Sequence, residues 1–194
     1  MSLPTFNPRT LALCALIAIT GLLRFVLNLD QDWAAFGSFS PIGAMAIFGG
    51  AFFSRPYKAF GFPLLTLFIS DMALSLTVYS SYSKGFLYGG WWCVYGAFVL
   101  MTIAGRIIIR RNTPVNVLVA ALSAIFIHWT VTDLGVWLGS TMYPQTFSGY
   151  LACLVAAIPF EGNFGAGTIA YSAILFGGFA WMQQRFPQLA KSAR

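Results

Sequence analysis

Apolar residues gather into six long runs, separated by short stretches that hold most of the prolines and charged residues. The runs cover about residues 10–29, 36–53, 59–79, 88–109, 115–138 and 163–182. Each is close to the roughly 20 residues an α-helix needs to cross a hydrocarbon core, which predicts six transmembrane helices. The second run is the shortest. A further apolar stretch, "FSGYLACLVAAIPF" at 147–160, has 14 residues and carries Pro159 next to its end. That length predicts a short outer interfacial or re-entrant segment in place of a span. The glycines of the following "FEGNFGAG" predict a tight outer turn into the sixth helix, with Glu161 near that helix's positive N-terminal end.

Composition agrees with this pattern. Hydrophobic residues make up 58% of the chain and charged ones 8%, and the mean hydropathy is +0.76, far from the balance of a soluble domain. The expected fold class is an all-α integral membrane protein, with one transmembrane bundle over residues 1–194 and no room for a separate soluble domain. Arg9 precedes the first run in the manner of a signal peptide, but no small-residue cleavage site follows, so the run is expected to stay as a helix.

Charge placement orients the bundle. With the N-terminus inside, the inner loops receive Arg9, Arg55, Lys58, Arg106, Arg110, Arg111, Arg185, Lys191 and Arg194, whereas the outer side receives Lys84, Asp30, Asp32 and Glu161. This is the positive-inside pattern of a multi-pass membrane protein with both termini cytoplasmic. Counting 147–160 as a seventh span would put the basic C-terminal tail outside. The same pattern accounts for the net charge of +6, so no nucleic-acid partner is expected and lipid is the surrounding medium.

Orientation gives each polar residue within a span a depth. Arg24 and Asn28 lie four residues apart near the outer end of the first helix, hence on one face. Asp71 lies beyond the midpoint of the third helix, and His128, the single histidine, and Asp133 occupy the outer half of the fifth. Trp91, Trp92, Cys93 and Tyr95 fall at the outer end of the fourth. A carboxylate at mid-helix costs on the order of 3 kcal/mol on insertion scales, so Asp71 and Asp133 should face the bundle interior or a watery cavity and find partners, Arg24 first and His128 second. Two readings follow: an ion-pair cluster that holds the helices together, or an outward-facing polar pocket for a solute. The tryptophans fit either an interfacial belt or the walls of such a pocket.

On the fifth helix His128 and Thr132 share one stripe, while Trp129, Asp133 and Trp137 form a neighbouring one. One stripe can line a cavity while the next meets another helix. Small residues crowd the first helix (Ala12, Ala15, Ala18, Gly21) and the second (Gly43, Ala44, Ala46, Gly49, Gly50, Ala51), where they let backbones approach within the bundle or against a partner. No GxxxxGK[ST], HExxH or GxSxG motif is present. One histidine cannot build a multi-histidine metal site, and the three cysteines, Cys14, Cys93 and Cys153, have no finger spacing.

The blocks "FSPIGAMAIFGGAFF", "PLLTLFISDMAL", "VTDLGVWL" with "MYPQTFSGYLACLVAAIPF", and the closing "ILFGG" resemble a family of small bacterial inner-membrane proteins. That family is similar to the substrate-binding S-components of energy-coupling-factor (ECF) vitamin transporters and includes a solitary cobalamin-binding subunit. The resemblance implies six helices, an outward vitamin pocket and cobalamin or a related corrinoid as the transported ligand, with no intrinsic cofactor. It further implies that Cys93, near the junction of the third and fourth helices, is a candidate ligand of the corrinoid cobalt. A thiolate is a reasonable soft ligand for cobalt. The histidine that such a relative places before the second helix is replaced here by Gln31 or Asn28.

The expectation is a vitamin-uptake protein in which Arg24, Asn28, Asp71, Trp92, Tyr95, His128 and Asp133 contact the solute. An energising ECF module would dock on the small-residue face of the first helix, unless the subunit works alone. The alternatives are a membrane enzyme acting on a lipid or cofactor through His128 and Asp133, and a structural membrane subunit. Neither a nucleophile nor a metal constellation stands beside that pair to support an enzyme.

Overall fold

The computed structural model describes residues 7–29, 39–80 and 87–189. Among the described residues, six α-helices follow one another: α1 (Pro8–Leu27), α2 (Ile42–Phe52), α3 (Pro56–Leu76), α4 (Trp91–Ile108), α5 (Pro114–Gly139) and α6 (Phe147–Arg185), with a short 3-10 turn at Pro187–Leu189. All except α2 are long and apolar enough to cross a membrane. Large apolar side chains such as Ile19, Leu22, Ile69, Leu122, Phe126, Val155 and Ile174 are exposed on their outer faces. Such a surface suits solvation by lipid tails.

Helix starts follow the local chemistry. α1, α3 and α5 each begin on a proline, which surrenders no intrahelical bond in a first turn. Asn7 caps α1 by accepting from the Arg9 N–H, Thr113 caps α5 by accepting from that of Asn116, and Thr146 caps α6 through Gly149. α4 follows Gly90, whose φ of 75° lies in the left-handed region that glycine enters without a Cβ penalty.

Two expectations from the sequence need correction. The second run, expected as a span over 36–53, is helical among its described residues only over Ile42–Phe52, about 16 Å at 1.5 Å per residue, too short to cross a hydrocarbon core. It is instead the centre of the bundle: every residue from Ile42 to Gly50 is buried, as expected of a helix apolar on all sides. Its glycines explain how three neighbours reach it. A Cβ on Gly43 would strike Thr168 of α6, one on Gly49 would strike Pro63 of α3, and one on Gly50 would strike the Thr102 carbonyl of α4. Gly105 of α4 returns the favour, lying against the backbone of Ile47.

The second correction concerns the outer segment. Residues 147–160 and the sixth run are one helix of 39 residues that passes through Pro159 and "EGNFGAG" without a turn. At about 58 Å it is far longer than one span needs. Pro159 lacks the N–H that would bond the carbonyl four residues back, but the other bonds of the helix carry on around it. The glycines serve close packing in place of a turn: Gly167 sits against the backbone of Phe39 and Ser40, and Gly165 against Ile125.

The helices alternate in direction and sort the charges. Arg9 of α1 donates to the Leu189 carbonyl and stacks on Phe52 and Phe179, while Arg106 of α4 donates to the carbonyls of Phe53 and Ser54. One end of the bundle therefore gathers the start of α1 with the ends of α2, α4 and α6. At the other end, the Tyr79 hydroxyl donates to Asn28, Tyr88 to Asp71, and the Trp137 indole to the Pro144 carbonyl.

Candidate functional site

A cavity of about 590 Å³ opens at the end of the bundle opposite Arg9 and Arg106, within the size range of small-molecule sites. Arg24 and Asn28 reach it from α1, Leu74 and Tyr79 from α3 and the turn after it, and Ser40 and Ile42 from the start of α2. The remaining wall comes from His128, Thr132, Asp133 and Val136 of α5 and from Cys153, Phe160, Glu161 and Phe164 of α6, with Tyr143 beside them. A few polar groups thus converge on an otherwise apolar and aromatic wall.

On the α1–α3 side, an Arg24 Nη lies 2.7 Å from the Asp71 carboxylate, and the other Nη donates to Ser70 at 2.6 Å. The Asp71 side chain is 1% exposed. It also accepts from the Tyr88 hydroxyl at 3.2 Å. Burial, with the charge of Asp71 second, pushes the Tyr88 phenol well above its ordinary range and keeps it a donor. The Asn28 amide donates to the Arg24 carbonyl, which turns its oxygen toward the Tyr79 hydroxyl at 3.0 Å. The guanidinium is thus fixed by two groups, Asp71 and Ser70, and Arg24 still borders the cavity.

On the α5–α6 side, His128 Nδ1 and a Glu161 carboxylate oxygen are 2.9 Å apart, and the imidazole stacks on Phe164 with ring centres separated by 3.6 Å. Asp133 is one turn further along α5. Among the described residues its carboxylate makes no hydrogen bond or ion pair, although Glu161 and His128 are within electrostatic reach. Among the described residues, Arg24 is paired with Asp71 and His128 with Glu161, whereas Asp133 has no such partner.

The start of α2 supplies a feature of another kind. Its first turn begins inside the bundle, after Pro41, with Ile42 N–H donating weakly to Ser40 Oγ at 3.4 Å and no further side-chain cap. Non-helical backbone at such a depth is tolerated where it is enclosed by protein or borders a cavity. Ser40 and Ile42 do border one, so the positive end of a short helix faces the same space as the carboxylates.

Compared with known families, residues 4–189 match DUF6580, a family of unknown function. The chain belongs to this family. No curated protein and no solved structure matches it. The match spans all six helices of this family member.

Of the residues expected at a site, Arg24, Asn28, His128 and Asp133 line the cavity, and Asp71 stands directly behind Arg24. Both stripes of α5 are divided differently from the helical-wheel reading. Asp133 joins His128 and Thr132 at the cavity, whereas Trp129 and Trp137 turn to the α6 side and donate to the carbonyls of Leu154 and Pro144. Trp92 is 53% exposed and lies outside the lining. Tyr95 packs against the core with its hydroxyl buried beside the Asp71 group, again outside the lining.

Cys93 is 2% exposed and wedged against Gly135, where α4 crosses α5. Its thiol does not reach the cavity wall. Among the described residues, no group of three or more His, Cys, Asp or Glu side chains is placed to hold a metal ion. Gln31 lies outside the described residues. The residue that sequence reasoning missed is Glu161, set aside as an outer helix-start acid. The available signal was that a carboxylate one apolar stretch away from the single histidine has few other partners in a chain with five acidic residues.

Proposed function

We propose that this protein sits in the bacterial inner membrane with both termini cytoplasmic and captures a small, vitamin-sized polar solute from the outer side. The observation that carries the proposal is the cavity of about 590 Å³ on which Arg24, Asn28, His128, Asp133 and Glu161 converge from α1, α5 and α6. Ionisable groups inside a membrane bundle are costly, and their usual reason for being there is a solute pathway or binding site. The basic residues gathered at the far end support an outward-facing cavity through the positive-inside rule.

The resemblance to S-components makes cobalamin or a related corrinoid the first solute to test, while the wall itself speaks for a solute with both donor and acceptor groups. Asp133 has acceptor capacity to spare, and the start of α2 and Arg24 offer donors. An energising ECF-like partner would meet the exposed Ala15 and Ala18 side of α1, since Gly21 is already engaged with Thr66 of α3.

The test is ligand-dependent stability of the purified chain in mild detergent across a panel of vitamins, cobalamin first. A binder at 100 times its Kd should add about 2.7 kcal/mol to the folded state. Asp133→Asn should weaken that gain at least tenfold in apparent affinity and leave the ligand-free unfolding midpoint near its original value. A panel with no stabilising member, or a gain that Asp133→Asn leaves intact, would overturn the proposal.

A second reading, a membrane enzyme, is favoured by one observation: a histidine oriented by a carboxylate at 2.9 Å is a familiar acid–base arrangement. In that case His128→Gln would abolish turnover of a bound substrate while binding persisted. For a binding protein, the same substitution weakens binding and there is no turnover to lose.

A further inference from the structure

At the basic end, a second cavity of about 530 Å³ opens between α1, α2, α4 and α6, lined by Arg9, Arg106, Arg110, Asn112, Gln183 and the α2–α3 turn at 53–54. Three arginines, Arg9 of α1 and Arg106 and Arg110 at the end of α4 and just beyond it, share this space. The partners they have are neutral: Arg9 donates to the Leu189 carbonyl, and Arg106 to those of Phe53 and Ser54 at 3.1 Å. Arg110 has no partner among the described residues and is exposed.

No described carboxylate is available to balance them. Asp71, Asp133 and Glu161 all belong to the other end, where they are engaged with Arg24, His128 and the first cavity. The C-terminal ends of α2 and α4 each bring roughly half a negative charge, which leaves an excess of about two positive charges on the cavity wall. Carbonyl contacts also leave most donors of these three groups unused, since each guanidinium has five N–H bonds in a planar fork suited to oxyanions. Asn112 and Gln183 add neutral amides at the rim.

We propose that this cavity is a phosphate-binding site, which takes either the headgroup of an anionic phospholipid or a free phosphate group. Basic pockets between helices at the cytoplasmic face are suited to lipid headgroups, and the exposed apolar faces of the bundle allow acyl chains to lie alongside. The site is separate from the outward cavity and does not depend on what that cavity binds. Arg106 has a double role, holding the end of α2 while presenting its remaining donors to the anion.

The experiment uses the full chain in neutral detergent and reads its unfolding midpoint during titration with short-chain phosphatidylglycerol, short-chain phosphatidylcholine and, separately, inorganic phosphate. Stabilisation by phosphatidylglycerol alone assigns the site to lipid; stabilisation by inorganic phosphate as well assigns it to the free group. In either case Arg110→Gln, an exposed position that should fold normally, is expected to weaken the apparent affinity about fivefold. Arg111→Gln, next in sequence but outside the lining, should change it less than twofold. Arg106→Gln should weaken it further if it folds; if it does not, Arg110→Gln decides alone. The proposal is overturned if neither anion stabilises the chain more than phosphatidylcholine does, or if Arg111→Gln costs as much as Arg110→Gln. The latter result would mean that the whole basic end attracts anions without a defined site.

Discussion

Arg24 and Asp71 form a pair whose two members need each other. Removing one partner of a buried ion pair leaves an uncompensated charge and costs on the order of 3–5 kcal/mol, whereas replacing both by apolar groups is often close to neutral. Arg24→Met alone should therefore lower the thermal midpoint sharply, and Arg24→Met with Asp71→Leu should recover most of the loss. Equal damage in single and double variants would show that the pair is not the stabilising unit. The existence of this cluster was legible in the chain, because an aspartate in "LFISDMALS" and an arginine in an apolar helix have little else to meet. The pairing was not legible: Asp71 chose Arg24, and His128 chose Glu161, according to which helices are neighbours. Cys93 makes the same point from the other side. Its position near a helix junction suited a ligand, but the close approach that the absent Cβ of Gly135 allows buries the thiol between α4 and α5.

At the scale of elements, the helices differ in what holds them. α2 is gripped by α3, α4 and α6 through glycines on several of its faces and on theirs, an arrangement that serves association in lipid, where apolar burial offers little net drive. Gly105→Ala would push a methyl group into the Ile47 backbone, and α2 has no free side toward which to retreat. Overpacking of this kind costs about 1–3 kcal/mol. By contrast Gly178→Ala, which faces open space on α6, should be neutral or stabilise by up to about 1 kcal/mol through helix propensity. Thermal unfolding of the two variants in the same detergent checks the contrast; similar midpoints would refute the close-packing role of Gly105. α6 shows where local signals mislead. Pro159 and the glycines of "EGNFGAG" are strong punctuation when taken alone, and a 14-residue apolar stretch is too short for a span. Contacts with Ile125, Phe39 and Ser40 favour keeping the helix continuous through them, with glycine chosen for closeness.

At the scale of the whole molecule, alternation of helix direction places the polar cavity and the basic cavity at opposite ends. If the basic end is cytoplasmic, Thr141→Cys at the cavity end should react with a membrane-impermeant maleimide in intact cells, and Gln184→Cys only after permeabilisation. Native Cys93 is buried and gives little background, so Cys14 and Cys153, the latter on the cavity wall, need replacement. The reverse labelling pattern would turn the polar cavity inward and end the proposal of capture from outside. The loop charges predicted this separation, since each basic loop had to fall on one side for the count of spans to close.

What the sequence by itself determined is the preferred solvent and the sorting of charge: long apolar runs suit a lipid environment, and their flanking charges place alternate loops at one end. These follow from transfer energies that act residue by residue and need no knowledge of neighbours. Tertiary structure alone decided that the second run is a buried half-length core helix, that two segments fuse into α6, and that Glu161 reaches His128 while Cys93 turns away from the cavity. Each of these depends on which helix lies against which. Periodicity along one helix specifies a face, but the partner that meets that face is selected by packing across the bundle.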